Sequence, residues 1–291
     1  RCPNKKWEGF TVYTNNMIGG GFRGYGCPQG CFAVESQIDE ICETLGFDPV
    51  EFRLKNAYQK GDPHPFNPNW TLNSYGYDEA LRLGAERIGW SSRAPAGSSP
   101  GVRKRGIGVG TQGIWVSGCM GFPDIYEHTG AIIKLNRDGS ADISSGTVDI
   151  GSGQIATLCQ IAAAELGVGM DKVRMVYADT DTVPFDAPTH ASRGTYSSGL
   201  AVKAAAAQVR KRVFEIAAGL MEANPDDLDI SNGQVYVKGS PDSARALTDI
   251  IHIAESPFIM DTEQGPRPSS PPEHKGTIIG SSSLAPPENP S

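Results

Sequence analysis

Apolar residues recur every three or four positions through Cys31, Val34, Ile38, Ile41 and Leu45, the spacing that lines one face of an α-helix. Pro28 stands where such a helix opens and Gly46 where it closes. Asp48-Pro49 repeats the opening signal, an N-cap followed by a first-turn proline, and predicts a second helix to about Asn56. A third helix is expected over Asp78–Ile88. Further along, Ile155, Leu158, Ile161, Ala162 and Leu166 predict a helix that follows Gly151-Ser152-Gly153, and an alanine-rich run predicts a long one from about Ser198 to Glu222. Alternating or continuous apolar stretches predict strands at Phe10–Thr14, Gly106–Ile114, Ala131–Asn136, Ala141–Asp149 and Val173–Ala178. Arg137-Asp138-Gly139-Ser140 is a hairpin turn between two of them, and Asp229–Gly239 holds a further short hairpin. Strands and helices are interspersed, so the expected fold class is α+β.

Two stretches break this pattern. Residues 57–76 are rich in Pro, Asn and Gly, and residues 264–291 in Pro and Ser; both read as irregular. Ser91–Arg105 has the composition of a linker and divides the chain into a first portion, 1–92, a linker, 93–105, a second portion, 106–263, and the tail 264–291. The basic run Arg103-Lys104-Arg105 falls in that linker and reads as solvated.

Composition narrows the function classes. A net charge of −7 over 291 residues gives no field that would attract nucleic acid. No apolar run reaches the ~20 residues that cross a bilayer as a helix, and the first residues, Arg1-Cys2-Pro3-Asn4-Lys5-Lys6, carry no apolar leader. A cytoplasmic chain is expected, and a first residue other than Met suggests a processed chain or a segment of a longer one. The six cysteines contain no Cys-x-x-Cys pair; Cys27 and Cys31, four apart, come nearest to a ligand pair. Reduced thiols fit this pattern better than a metal site.

The candidate chemistry lies in three loops where small residues turn the chain into a helix. Such a loop lets backbone N–H groups approach a ligand, and the helix N-terminus favours an anion or an oxo group. The first is Gly19-Gly20-Gly21-Phe22-Arg23-Gly24-Tyr25-Gly26-Cys27-Pro28-Gln29. It contains a formal Gly-x-Gly-x-x-Gly at 19, 21 and 24, but a dinucleotide fold needs a second parallel strand after the helix, and here another helix opens at Asp48. The second is Asp149-Ile150-Gly151-Ser152-Gly153-Gln154. The third runs from Thr180-Asp181-Thr182-Val183-Pro184-Phe185 through His190-Ala191-Ser192-Arg193-Gly194-Thr195-Tyr196, with Ser192 and Thr195 as anion contacts and His190 as a loop anchor.

The order of these loops resembles the molybdenum-binding subunits of the xanthine dehydrogenase/aldehyde oxidase family. Phe22-Arg23-Gly24-Tyr25-Gly26 followed by Pro28-Gln29 is similar to that family's Phe-Arg-Gly-x-Gly-x-Pro-Gln loop, and Asp48-Pro49 with Arg53-Leu54-Lys55-Asn56 to its continuation. Asp149–Gly153 resembles the loop beside the pterin dithiolene, and Ala191-Ser192-Arg193-Gly194-Thr195 the third cofactor segment. The resemblance runs from about residue 10 to residue 205. It implies an incomplete molybdenum-cofactor-binding fold within a multisubunit oxidoreductase that hydroxylates an aromatic heterocycle or an aldehyde/acyl substrate with oxygen from water. It further implies molybdenum held by molybdopterin, in the cytosine dinucleotide form, with iron–sulfur clusters and FAD on partner subunits. The expected partners are the remaining part of the molybdenum subunit, an iron–sulfur subunit and a flavin subunit.

Position by position, the resemblance places Arg23 beside the metal as a catalytic charge, Tyr25 against the substrate, and Phe22 behind the metal site. Gly21, Gly24 and Gln29 belong to the same cofactor loop; Ile150, Gly151 and Ser152 would meet the pterin, and Ala191, Ser192, Arg193, Gly194 and Thr195 would contact the cofactor backbone-to-phosphate. Ser152 departs from the glutamine common at its position. The family's Gly-Gly-x-Phe-Gly-Gly loop and the late Gly-x-Gly-Glu motif that carries its base do not occur in these residues, so the chain alone is expected to be inactive. The alternative is a non-catalytic scaffold, or a fragment that binds cofactor only with a partner chain.

Overall fold

Glycines in left-handed backbone and prolines in first turns punctuate the chain where the sequence places them. A computed structural model describes residues 6, 8–17, 23–24, 26–63, 71–72, 74–95, 97–111, 128–187, 189–190, 192–256, 259–261, 265–267 and 275–285. These belong to two units, Arg1–Trp115 and Val116–Pro290.

In the first unit, α1 spans Cys27–Leu45 and stops at Gly46, whose φ of 70° lets its N–H reach the Cys42 carbonyl. Helix α2, Pro49–Asn56, is capped by Asp48, which accepts from the Val50 and Glu51 amides. Helix α3 covers Tyr77–Ile88. Val50, Leu54, Leu81 and Trp90 form the core, with Tyr77, Ala85, Ile107 and Val109 against it. The link from α2 to α1 is ionic: the buried Arg53 donates to Glu35 Oε2 from Nε at 2.9 Å and from Nη2 at 2.5 Å, and to Asp39 at 2.9 Å.

Three expectations fail in this unit. The apolar stripe on α1 is not buried: among the described residues of that helix Cys42 alone is buried, while Phe32, Val34, Ile41 and Leu45 are exposed. Periodicity sets a face but not its partner, and the contact with α2 is made by charge instead. Phe10–Thr14 forms no ladder, because no strand lies beside it among the described residues. Gly106–Thr111 likewise forms no strand; Ile107 and Val109 lie on the core of this unit. Residues 112–114 lie outside the described residues.

The second unit is built on a four-stranded sheet. Strands β1 (Thr129–Leu135) and β2 (Ala141–Ser145) form the expected antiparallel hairpin, with Ile133 opposite Ile143. Helix α4 (Gln154–Leu166) crosses over to β3 (Val173–Tyr177), which pairs with β2 in parallel. Helix α5, Gly199–Met221, packs against α4 and β1. Strands β4 (Leu228–Ser231), β5 (Gln234–Val237) and β6 (Ser240–Ala246) make a small sheet followed by α6, Leu247–Glu255. Strands β7 (Ile259–Asp261) and β8 (Gly265–Arg267) pair with each other.

Strand β9, Ile279–Leu284, then joins the main sheet beside β1, giving the order β3-β2-β1-β9. The stretch 264–291 is therefore not wholly irregular. Gly280 explains how so polar a strand is held: a Cβ there would run into the Ala205 carbonyl oxygen and lie 2.9 Å from Val209 Cγ2, so α5 sits directly on the strand backbone. Ala131, Ile133, Leu135, Ala141 and Ile143 point into the core with Leu158, Ala162, Val202, Ala205 and Val209, while Ile132 and Lys134 face outward, the period-two pattern of a sheet covered on one side.

Candidate functional site

The parallel pairing of β2 and β3 brings the second and third loops to the same end of the main sheet. After β2 the chain runs through Thr147 and Asp149 into α4; after β3 it runs through Asp179–Arg193 into α5. Thr189 Oγ1 donates to the Val148 carbonyl at 3.0 Å and joins the loops directly. Gly146 lets them close up: a Cβ there would lie 2.7 Å from the Pro184 carbonyl oxygen and 2.9 Å from Asp186 Cβ.

The second loop wraps around its own acid. Asp149 Oδ1 accepts from the amides of Gly151 at 2.8 Å, Ser152 at 3.0 Å and Gly153 at 3.3 Å. These bonds, the Gly151 amide foremost, hold the Asp149 carboxyl below its usual range. Gly151 and Gly153 have φ values of 93° and 72°, which only glycine adopts without strain. Ile150, Ser152 and Gly153 are exposed. The amides expected to meet a ligand are thus bonded to a carboxylate of the loop itself.

The third loop is anchored by a buried ion pair. Arg193 Nη1 lies 2.9 Å from Asp186 Oδ1, with the two side chains 1% and 2% exposed. The same guanidinium donates from Nη1 to the Ala187 carbonyl at 2.7 Å and from Nη2 to the His128 carbonyl at 3.2 Å. Asp186 Oδ2 accepts from Thr147 Oγ1 at 2.7 Å and Ser198 Oγ at 3.4 Å. The Nη1 and Nη2 atoms of Arg193 are therefore engaged within the protein. Ser192 has φ 59°, unusual without glycine. Gly194–Ser198 then form a π-helical turn that continues into α5. Such turns recur at functional sites, and this one was not expected from the sequence. Thr195 is exposed and Gly194 buried; Ala191 lies outside the described residues.

Gln154 joins the two helix starts. It is the first residue of α4 and 3% exposed, and its Nε2 has no hydrogen-bond partner among the described residues. Its amide lies where a side chain on Gly194 would have to go. The sequence places Gln154 in the second loop without marking a role for it, and does not mark Thr147 or Asp186. A signal existed for one of them: apart from His190, Asp186 and Arg193 are the charged-type residues between Asp181 and Lys203, an isolated opposite pair.

The first loop belongs to the other unit. Arg23 is exposed, and Gln29 is exposed in the first turn of α1. Gly24 has φ 99°, and a Cβ on it would lie 2.8 Å from Pro28 Cδ, so glycine shapes the entry into α1. Gly21, Phe22 and Tyr25 lie outside the described residues. Among the described residues no group of His, Cys, Asp and Glu is arranged to hold a metal ion, and no helix is long and apolar enough to cross a membrane.

Residues 83–275 match the family described as a molybdopterin cofactor-binding domain, and residues 1–57 match a second family of the same description. The xanthine dehydrogenase molybdenum-binding subunit of Escherichia coli O157:H7 is 34% identical over 238 residues, covering 80% of this chain and 31% of the relative. The aldehyde oxidoreductase of Megalodesulfovibrio gigas is 33% identical over 213 residues, covering 72% of this chain and 23% of the relative. Quinoline 2-oxidoreductase from Pseudomonas putida 86 shares the fold, with a TM-score of 0.64 and 24% identity over 89% of this chain and 33% of that one. The chain spans about a third or less of the length of these relatives. Two matched cofactor-binding families, and relatives from both xanthine and aldehyde enzymes, place this chain in the molybdopterin cofactor-binding family of the xanthine dehydrogenase/aldehyde oxidase type.

Proposed function

We propose that the chain supplies part of the cofactor site of a molybdenum hydroxylase that oxidises an aromatic heterocycle or an aldehyde/acyl substrate. The observation that carries this reading is the meeting of the second and third loops at two helix starts, with a buried Gln154 amide whose Nε2 has no acceptor among the described residues. Leaving a buried donor unmet costs roughly 1–3 kcal/mol. A ligand rich in acceptor oxygens and ring nitrogens, as a pterin is, would meet it, so these residues fit the group.

Bound molybdopterin with its metal supplies two-electron oxidation of a substrate carbon and oxygen derived from water. The chain's own residues do the holding. In this reading Ile150, Gly151 and Ser152 on one side, and Ala191, Ser192, Gly194, Thr195 and the backbone of Arg193 on the other, grip the cofactor. In the first unit, Gly21, Phe22, Gly24 and Gln29 are read as cofactor contacts of their own loop. The Arg23 guanidinium orients the substrate and stabilises negative charge that develops on it, and Tyr25 packs on its ring. No Gly-x-Gly-Glu motif occurs in these residues; the proton acceptor belongs to the remaining part of the subunit. The cofactor is of the cytosine dinucleotide form, and electrons pass to iron–sulfur and flavin subunits in the cytoplasm.

The test is elemental and pterin analysis of the native assembly, with release of cytidine monophosphate as the mark of the dinucleotide form. Molybdenum and pterin together with substrate-dependent dye reduction are expected; their joint absence refutes the proposal. That absence is the outcome expected on a second reading, a cofactor-free scaffold. The second reading draws on Asp149, which already fills the amide cradle of the second loop.

A further inference from the structure

We propose that Gln154 is itself a cofactor-contact residue, its side-chain amide donating a hydrogen bond to a phosphoryl oxygen of the pterin cofactor between the two helix starts. The proposal rests on the cofactor-binding reading above.

Three observations converge on this side chain. It is 3% exposed, yet its Nε2 has no hydrogen-bond partner among the described residues. It is directed at the second helix start, since a Cβ on Gly194 would run into Gln154 Oε1 and lie 2.7 Å from Cδ and 3.1 Å from Nε2. Glycine at 194 is what admits the amide. The neighbouring amides of Gly151, Ser152 and Gly153 are bonded to Asp149, so the buried donor this loop still offers is Gln154 Nε2. Exposed Ser192 and Thr195 flank the same turn with two hydroxyls. The chemistry on offer is neutral donors at the positive ends of α4 and of the helical run 193–221, which favours an anionic oxygen.

A carbonyl oxygen of the pterin ring would use the same donor, and two probes separate the sources. The full chain, labelled with ¹⁵N-glutamine, is titrated with inorganic pyrophosphate and separately with a phosphate-free pterin. The Gln154 side-chain resonances are identified by their loss in Gln154→Leu. They are expected to move with pyrophosphate, and Gln154→Leu should weaken that binding about tenfold or more. Movement with the pterin alone overturns the phosphoryl assignment, and no movement with either probe overturns the contact altogether.

Stability separates contact from scaffolding. Removing an unmet buried donor should raise the ligand-free Tm of Gln154→Leu by roughly 2–4 °C, whereas a structural amide would lower it. A lowered Tm with unchanged binding also overturns the proposal. Gln154→Met, which keeps the length of the side chain, replaces Gln154→Leu if the latter does not fold. Molybdenum and pterin analysis of the native assembly reports separately on the underlying reading. Cofactor present with Gln154 silent refutes this contact alone, and cofactor absent refutes both.

Discussion

Asp186→Ala should destabilise the unit Val116–Pro290 by about 3–5 kcal/mol, the usual cost of removing one partner from a buried ion pair. The geometry favours the upper part of that range. Arg193 would keep its bonds to the Ala187 and His128 carbonyls, at 2.7 and 3.2 Å, but its charge would have no counter-charge at 2.9 Å. Thr147 Oγ1 and Ser198 Oγ would also lose their acceptor, at 2.7 and 3.4 Å. For a unit of this size the loss corresponds to a fall in Tm of roughly 6–20 °C. Urea unfolding followed by circular dichroism measures it. The double variant Asp186→Leu/Arg193→Met removes both charges and should recover most of the loss, because an apolar pair of similar volume often matches a buried ion pair. A single-variant cost below about 1 kcal/mol would refute the picture of a desolvated pair. So would a double variant no more stable than Asp186→Ala.

Four further outcomes are expected. Burial pushes the Asp48 carboxyl up, but donation from the Trp90 indole, the Glu51 and Val50 amides and Arg93 outweighs it, leaving the group below its ordinary value of 3.8. A depressed carboxylate stabilises the fold above the unfolded value, and that contribution disappears as pH falls through the lower folded value. The Tm gap between the natural chain and Asp48→Asn should therefore be full above about pH 5 and close in more acidic solution. Gly24→Ala meets left-handed backbone and Pro28 Cδ at 2.8 Å, so it should loosen the start of α1 by about 1–2 kcal/mol, read as faster amide exchange at Cys27. Gly280→Ala drives a methyl into the Ala205 carbonyl and should cost roughly 1–3 kcal/mol, with exchange rising across β9 and its partner β1. Asp149→Ala should speed exchange at Gly151, Ser152 and Gly153 at neutral pH, while in the natural chain protection should persist until the pH drops below the usual carboxylate range.

Elements were legible where local chemistry alone decides them. Asp48-Pro49 capped α2, Gly46 closed α1, and Arg137–Ser140 turned the β1–β2 hairpin, because each needs only its own neighbours. Helix α6 was legible too: Leu247, Ile250, Ile251 and Ala254 carry helical spacing and are buried. It lacks a capping side chain and was passed over. Strands β6 and β9 were not legible, since Ser240–Ala246 is almost wholly exposed and Gly280-Ser281-Ser282-Ser283 has no apolar alternation. These strands exist because of what packs or pairs beside them, which composition does not record. The converse error was Phe10–Thr14, a strand-like pattern without a partner strand among the described residues.

The site divides along the same line. The glycine loops announce that backbone must approach something closely, and the family resemblance named what that is. Neither distinguishes a polar residue that meets the ligand from one that holds the loop. A loop of small residues contributes little packing of its own, so a buried anchor must fix it. In the third loop that anchor is Arg193, whose Nη1 and Nη2 bond Asp186 and two carbonyls. In the second loop it is Asp149, whose carboxylate binds the amides expected to meet an anion. Beside these anchors the two helix starts carry exposed hydroxyls, Ser152, Ser192 and Thr195, and the buried amide of Gln154. In the proposed site, neutral donors at helix starts would favour an anionic group without a competing salt bridge, and small polar residues of this kind are hard to single out from sequence.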